Sequence, residues 1–446
     1  MKVAWPTLPW ASVPDLLPFR GLRYDPPAIG NPGAVLCPPY DVISAAERER
    51  LLASHPRNVV RLELPASPAN ADGGPAAYAK AAETLERWMA DGTLVRDREP
   101  MIYVYEQRYD LGSEGERVAR SFFCALRLEE YGPRSGVRPH ERTMSGPKED
   151  RFRLLSEVRA NLSPVLFLYQ DGAGGAESAG LLDRLTSAPP AIDTTGPGGV
   201  GQRLWLVDPA RSPDAARLLE LAAARPLTIA DGHHRYETAL RYRDSPGAPA
   251  AAEEVLALLY EARSGGLALL PWHRLVSRIP DATGVLGAAR ELFEVQPMTA
   301  AEQVLEHLRV AGEGVIGLWT RFGGALLKLD RERLDHLVPP ADSQTVRRLD
   351  VSLLSGTLKR MTGSAADELS AGGRLAYASD ALEAIAAVDA GRADVCFLLQ
   401  PTPVEAVLAV GAEGGYMPAK STLFHPKAAT GLVLNPLDGG PMGGSR

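Results

Sequence analysis

Cysteine is scarce in this chain of 446 residues: Cys37, Cys124 and Cys396 stand far apart, with no CxxC pair. That spacing argues against a disulfide framework and against a structural zinc site, and it fits a reducing compartment, so a cytoplasmic protein is expected. Long apolar runs are lacking too. No window of roughly 20 residues is apolar enough to span a bilayer. The start, MKVAWPTLPWASVPDLLPFRGLRYD, has one Lys and interrupts its apolar residues with Pro, Asp and Ser, unlike a secretory signal. No membrane partner is expected. An excess of positive charge is also missing: Lys and Arg number 48 against 55 Asp and Glu, a net charge of −7 and a pI near 5.7. Bulk nucleic-acid binding is therefore disfavoured. Finally, the chain has no GxxxxGK[ST] loop, no GxGxxG after a strand, no GxSxG elbow and no HRD/DFG pair. Any nucleotide must be held on a different scaffold.

What is present is ordinary globular material, 45% apolar and 23% charged, long enough for two or three domains. Strand-like and helix-like stretches alternate. VVRLELP (59–65) reads as a strand, AAYAKAAETLERWMADG (76–92) as a helix, and MIYVYEQRYD (101–110) with RVARSFFCALRLEEY (117–131) as a hairpin across a short Gly-bearing turn. Residues 171–202 are dense in Gly, Ala, Ser, Pro and Thr and read as a flexible stretch with one short helix near LLDRLTS. RLWLVDP (strand), AARLLELAAA (helix) and then RPLTIADGHHRYETALRYRD (225–244), a strand, tight loop and helix, follow. Beyond residue 280, ATGVLGAARELF and VSLLSGTLKRM read as helices, GVIGLWTRF and GALLKLD as strands, and residues 374–410 as strand, helix, strand, helix. The fold class is α/β with α+β mixing. The closing LDGGPMGGSR offers nothing to bury, so a disordered tail is expected over 436–446.

The junction at Asp231-Gly-His-His-Arg235 carries the strongest chemical signal. It lies between the apolar LTIA and an amphipathic helix, so its amides and cations converge on a helix N-terminus, where an anion is stabilised. Gly232 permits a close backbone approach, Arg235 offers a planar fork for phosphate oxygens, and His233 and His234 can donate to the same charge. Asp231 suits such a site as a magnesium ligand or proton acceptor; the alternative is a helix cap beside locally packed histidines. A second cluster, HERTMSGPKEDR (140–151), is not the zinc motif HExxH, because Met144 stands where the second His belongs. In it, Glu141 is a candidate general base with His140 beside it, and Lys148 and Arg151 are candidates to neutralise phosphate; a solvated surface loop is the alternative.

Three smaller signals complete the set. CPPYDVIS places Tyr40 and Asp41 on a stiff turn that either presents a carboxylate to magnesium or precedes a helix capped by Ser44. LLPWHRLV puts His273 and Arg274 inside an apolar strand, where a satisfied structural role is the competing reading. MPAKSTLFHPK supplies Lys420, Ser421, Thr422 and Lys427 on a Pro-punctuated loop able to close over phosphates or to cap a sheet.

Taken in order, CPPYDVIS, NVVRLELP, HERTMSGPKEDR, NLSPV, ADGHHRYETAL, LPWHRLV and MPAKSTLFHPKAATGLV closely resemble the bacterial and archaeal family called domain of unknown function 1015 over essentially the whole chain. The turn TIADGHHRYETA also resembles the phosphate-binding turn of the ParB/sulfiredoxin superfamily, which includes CTP-dependent DNA clamps, kinases of free serine, and sulfiredoxins. The turn here has no Cys, as sulfiredoxin chemistry requires, and the chain has no basic helix-turn-helix region, as a DNA clamp requires.

These resemblances imply a ParB/sulfiredoxin-like core from residues 1–65 and 203–280, an inserted α/β segment over 66–202, and a C-terminal α/β domain over 281–435, with the site between core and C-terminal domain. They also imply a nucleotide-dependent kinase acting on the hydroxyl of a small metabolite such as free L-serine, using ATP or ADP and Mg²⁺. In that scheme the Asp231–Arg235 loop binds phosphates, Asp41 or Asp231 holds the metal, Glu141 takes the hydroxyl proton, and Lys148, Arg151 and Lys420 stabilise the transferring group. A non-catalytic nucleotide-binding regulator and a phosphometabolite hydrolase are the alternatives. The oligomeric state is left open.

Overall fold

The computed structural model describes residues 12–65, 74–112, 115–132, 134–143, 145–329, 338 and 342–438. The polypeptide forms two units: Met1–Pro139, Thr143–Ala268 and Pro426–Arg446 make the first, and His140–Arg142 with Leu269–His425 make the second. The architecture is mixed α/β. No helix among the described residues is long and apolar enough to cross a membrane.

The first unit is organised around runs of β-branched and aromatic residues that favour a pleated surface. The strands of its main sheet are β1 (Leu16–Leu17), β2 (Ile102–Asp110), β3 (Glu116–Arg127), β4 (Val137–Arg138), β5 (Val165–Tyr169), β6 (Ile192–Thr195), β7 (Gly201–Val207), β8 (Leu227–Asp231) and β9 (Glu254–Glu261). They form one sheet in the order β4-β8-β5-β9-β3-β2-β7-β6, with β1 on β3. The expected hairpin is present: β2 and β3 pair antiparallel, Tyr103 opposite Phe123. β9 runs parallel to β5, and β8 runs antiparallel to β5.

One face carries Val104, Phe122, Cys124, Phe167, Ile229 and Leu259 against the helices, in a single buried cluster. The other, with Tyr103, Tyr105, Phe123, Leu166 and Tyr260, is buried as well. A sheet covered on both faces explains why these strands read as nearly continuous apolar runs rather than clean alternations.

The helices of this unit include α1 (Ala45–Ser54), α2 (Val60–Glu63), α3 (Gly74–Ala90), α4 (Ser145–Val158), α5 (Ala176–Leu185), α6 (Pro213–Ala223) and α7 (His233–Arg243). Ser44 caps α1 as expected, its hydroxyl accepting from the Glu47 amide at 3.2 Å. Two expectations are corrected. VVRLELP is helical over Val60–Glu63 because the buried Asn58 side chain dictates the local turn: its amide donates to the carbonyls of Ala34 and Leu36 at 2.9 and 3.0 Å, and its oxygen accepts from the Val60 N–H at 2.9 Å. That tertiary contact overrides the strand propensity of Val-Val. The second half of HERTMSGPKEDR is the start of α4 rather than loop, with Met144 outside the described residues.

The chain's last described stretch returns to this unit. Thr430 pairs with Cys37 through backbone hydrogen bonds of 2.8 and 3.3 Å, and Leu434 pairs with Leu22 at 2.9 Å. Of the tail expected to be disordered, Leu437 is buried and Asp438 pairs with Arg96; residues 439–446 lie outside the described residues.

The second unit has strands β10 (His273–Val276), β11 (Glu294–Met298), β12 (Val315–Thr320), β13 (Gly323–Lys328), β14 (Leu375–Ala378) and β15 (Val395–Leu398), ordered β11-β13-β12-β15-β10-β14. Its helices include α8 (Val285–Leu292), α9 (Ala301–Ala311), α10 (Gln344–Arg348), α11 (Asp350–Thr362), α12 (Ala381–Asp389) and α13 (Val404–Glu413). Leu275, Val304, Leu308, Leu398 and Val388 form its core. The strands and helices expected over residues 315–328, 350–362 and 375–413 are all present.

Candidate functional site

β8 delivers Asp231 through an irregularity. Ile229 pairs with Phe167, but Asp231 pairs with Leu166, so Ala230 is an extra residue in the ladder. In a regular strand Asp231 would share the helix-covered face with Ile229, two residues before it. The bulge instead puts it on the face of Leu166, a common way of re-aiming one side chain beside a site.

There Asp231 accepts from Lys427 Nζ through Oδ1 and from Arg235 Nη2 through Oδ2 at 2.6 Å. Burial works to raise the Asp231 carboxyl, but Lys427 and Arg235 outweigh it and hold the group well below the ordinary carboxylate range. The same attraction, working against burial, raises Lys427 and Arg235. Lys427 is itself anchored, because its carbonyl accepts from Gln107 Nε2 at 3.1 Å and Gln107 Oε1 accepts from the Tyr260 hydroxyl at 2.7 Å. Asp231 is thus tied to a lysine 196 residues away, a link no local pattern reveals.

Gly232 has φ 93°, and a Cβ there would lie 3.0 Å from the Cζ of Arg235. Glycine is required twice over: for the left-handed turn, and to let the guanidinium fold back over the backbone. Arg235 donates to Asp231 and to the Pro164 carbonyl, so the fork expected to face phosphate is directed at protein groups. α7 begins at His233 without a side-chain cap. His233 is buried and adds to the positive field on Asp231. Burial lowers His234, and Lys148 and Arg235 push the same way against Glu237 and Asp41.

Around this centre lie most of the remaining candidates of the first unit. Tyr40 and Asp41 occupy a short 3-10 turn; the Asp41 carboxylate is exposed, acts electrostatically on Arg235, Lys427 and His234, and makes no hydrogen bond or ion pair among the described residues. Lys148 pairs with Glu237, whose carboxylate also accepts from the hydroxyls of Tyr131 and, at 2.7 Å, Thr143. Arg151 stacks over the Tyr40 ring at 4.2 Å and donates to the Glu63 carbonyl at 2.8 Å. Burial pushes the Tyr40 hydroxyl up to about 12.

Glu63 is a residue that sequence reasoning missed. It is fully buried, accepts from Ser163 Oγ at 2.9 Å, and Ser163 in turn meets the Thr430 hydroxyl at 2.5 Å. Burial raises its carboxyl against the pull of Arg151 and Arg235. The available signal was a carboxylate between two leucines in NVVRLELP, a run with only Asn58 and Arg61 as its other polar residues. Glu63, Arg151, Ser163 and Arg235 line a cleft of about 50 Å³, room for water rather than for a metabolite.

His140, Glu141, His273, Arg274, Lys420, Ser421 and Thr422 belong to the second unit. His140 Nε2 meets the Thr422 hydroxyl at 3.1 Å, its carbonyl accepts from the Met417 amide at 2.8 Å, and Glu141 bridges to Met417. The exposed Lys420 has φ 59° and holds its ammonium 4.9 Å from the centre of the Trp272 ring. Ser421 Oγ donates to the Pro418 carbonyl at 2.5 Å. His273 is engaged within the fold: its Nδ1 accepts from the Leu399 amide at 3.2 Å, and burial pushes the ring down to about 4.

In the first unit the arrangement is therefore an uncapped helix N-terminus beside preset cations, with one exposed carboxylate. Asp41 fits a magnesium ligand, since this ion usually takes one or two carboxylates and completes its shell with phosphate and water. Asp231 fits poorly, because both its oxygens are engaged by Arg235 and Lys427. Among the described residues no three His, Cys, Asp or Glu side chains form a ready-made metal cluster.

Comparison with known proteins gives a family match and distant structural likenesses. The family model described as "Protein of unknown function (DUF1015)" matches residues 16–352. No curated protein matches significantly. Among solved structures the chain is similar to a free serine kinase in complex with AMP, at 14% identity and a TM-score of 0.34, over 65% of this chain and 83% of that one. It is also similar to SbnI with C-terminal truncation from Staphylococcus aureus, at 14% identity and 0.35, over 70% and 88%. A conserved hypothetical protein from Pyrococcus furiosus gives 15% and 0.33, over 65% and 87%.

Proposed function

The chain belongs to the DUF1015 family of proteins of unknown function, and we propose that it is a nucleotide-dependent kinase acting on the hydroxyl of a small metabolite. The observation that supports this reading is the start of α7, where Lys427 and Arg235 are fixed on Asp231 beside a helix end that has no side-chain cap. The N–H groups of such a turn and the helix dipole favour an anion, and cations already in position lose little freedom when it arrives. Asp231 then acts as a positioning residue: its ionised carboxylate fixes the lysine and the arginine, and it is unsuited to accept a proton. Asp41 would hold magnesium, which when bound supplies charge neutralisation on the phosphates.

A second reading has its own support. Arg235, Lys148 and Arg151 each already have a carboxylate partner, in Asp231, Glu237 and Asp150. An incoming phosphate has to compete for them, which is the layout of a nucleotide-sensing switch without a catalytic step.

The test is to incubate purified protein with Mg²⁺, ATP or ADP, and a pool of hydroxy metabolites that includes L-serine, and to read products by mass spectrometry. A phosphorylated metabolite that disappears in Asp231→Asn is the expected outcome. Nucleotide binding with no product favours the switch, and release of inorganic phosphate from a phosphometabolite favours a hydrolase. Glu141→Gln separately tests whether that carboxylate takes the hydroxyl proton: unchanged turnover removes it from the scheme.

A further inference from the structure

The second unit contains a cavity of about 400 Å³, within the usual range for small-molecule sites of roughly 300–1,000 Å³. At its wall stands Arg274, on strand β10 and only 4% exposed. Of the five N–H donors of a guanidinium, one meets the Trp272 carbonyl and another reaches the Ala419 carbonyl at a long 3.4 Å. The remaining donors have no acceptor among the described residues. The Tyr377 ring lies 5.2 Å away and Glu141 contributes an attractive field, but no carboxylate among the described residues comes within ion-pair distance. Burial consequently lowers the group to about 10, so it remains charged at neutral pH.

A charged group removed from water and given only carbonyl partners is costly to maintain, and an anion brought to it relieves that cost. The rest of the lining limits what the anion can be. Trp272, Leu399 and Pro401 offer surface for an organic body, while Glu313, Asp350 and Glu405 place three carboxylates, and Arg348 a second guanidinium, around the same space. With three acids against the two arginines the lining has no surplus of positive charge for a phosphate dianion, and it suits a ligand with a single negative charge, or one that also carries an amine. We propose that this cavity is a binding site for a small organic carboxylate, anchored by Arg274. This site lies within the second unit and its occupancy does not require the nucleotide reading of the first.

The test uses calorimetric titration of the full chain, without nucleotide, with glycine, glycerate and benzoate as carboxylate probes and with benzamide and inorganic phosphate as controls. Two variants accompany the wild type. Arg274→Met keeps the aliphatic stem and removes the charge, and Ala406→Trp fills the cavity from the partly exposed Ala406 on α13 while keeping the arginine's charge. The expected result is binding of at least one carboxylate but not of benzamide, weakened tenfold or more in both variants. If Arg274→Met fails to fold, Ala406→Trp alone decides. No carboxylate bound by the wild type, affinity unchanged in the variants, or phosphate bound in preference to carboxylates would each overturn the proposal.

Discussion

Replacing Lys427 by Met isolates the contact on which the first unit's candidate site turns. The side chains of Lys427 and Asp231 are each 19% exposed, so the pair is largely withdrawn from water. Removing one partner of a buried pair commonly costs about 3–5 kcal/mol, because the survivor is left uncompensated. Arg235 still holds the other oxygen of Asp231, and a fifth of each side chain reaches solvent, so a loss of about 2 kcal/mol is expected. In a unit of nearly 300 residues that corresponds to a fall in Tm of roughly 3 °C. Asp231→Asn should cost a similar amount, and the double variant should cost clearly less than the sum, by about 1–2 kcal/mol.

The pH dependence has a fixed sign. Asp231 is depressed in the folded state, so its contribution is fully present above the unfolded carboxylate value near 3.9 and is lost as pH falls through the folded one. The gap between wild type and Lys427→Met should therefore be flat from pH 5 to 8 and close only below about pH 4. The assay is thermal unfolding of wild type, both single variants and the double variant across that range. Additive singles, or a shift under about 1 °C for Lys427→Met, would refute the reasoning.

Three other substitutions test separate features. Gly232→Ala should lower stability by about 1–3 kcal/mol, because it puts a Cβ at φ 93° and 3.0 Å from Arg235; unchanged denaturant unfolding would show that the turn relaxes freely. Asp41→Asn should leave Tm within about 1 °C, as an exposed group without a partner among the described residues. The same change should cut nucleotide-dependent turnover by about tenfold or more at limiting Mg²⁺, and full turnover would remove Asp41 from the scheme. His273 is held down at about 4 against an unfolded value near 6.5, so the unfolded chain binds more protons between them and stability is lost as pH falls from 6.5 to 4. His273→Gln should flatten that limb by on the order of 3 kcal/mol, and an identical pH profile would contradict the assignment.

Much of the architecture was legible because its signals are local. The hairpin of Ile102–Asp110 and Glu116–Arg127 announces itself through two aromatic, β-branched runs and a short turn. Leu227–Asp231 and His233–Arg243 do so through an apolar strand, a glycine and a helical pattern. What stayed hidden depends on distant partners. Val60–Glu63 coils into a helix because Asn58 bonds to carbonyls some 22 and 24 residues earlier, and Glu63 gains its role from Ser163 and Arg151. Residue type singles out Arg235 but cannot say whether it faces a ligand or Asp231. Nor does any periodicity register the extra residue at Ala230 that decides which face Asp231 takes.

The late return of the chain to the first unit also bears on how the molecule is made. Cys37 waits for Thr430, Leu22 for Leu434 and Asp231 for Lys427, while the whole of Leu269–His425 is synthesised in between. During vectorial synthesis a nascent first unit can assemble its hairpin and helices early, yet its core lacks these closing contacts until residues 427–434 emerge. Asp231 spends that interval facing Arg235 alone. The turn therefore reaches its final arrangement only after all of Leu269–His425 has been made, and a chain that stops short of Lys427 carries an open seam at Asp231.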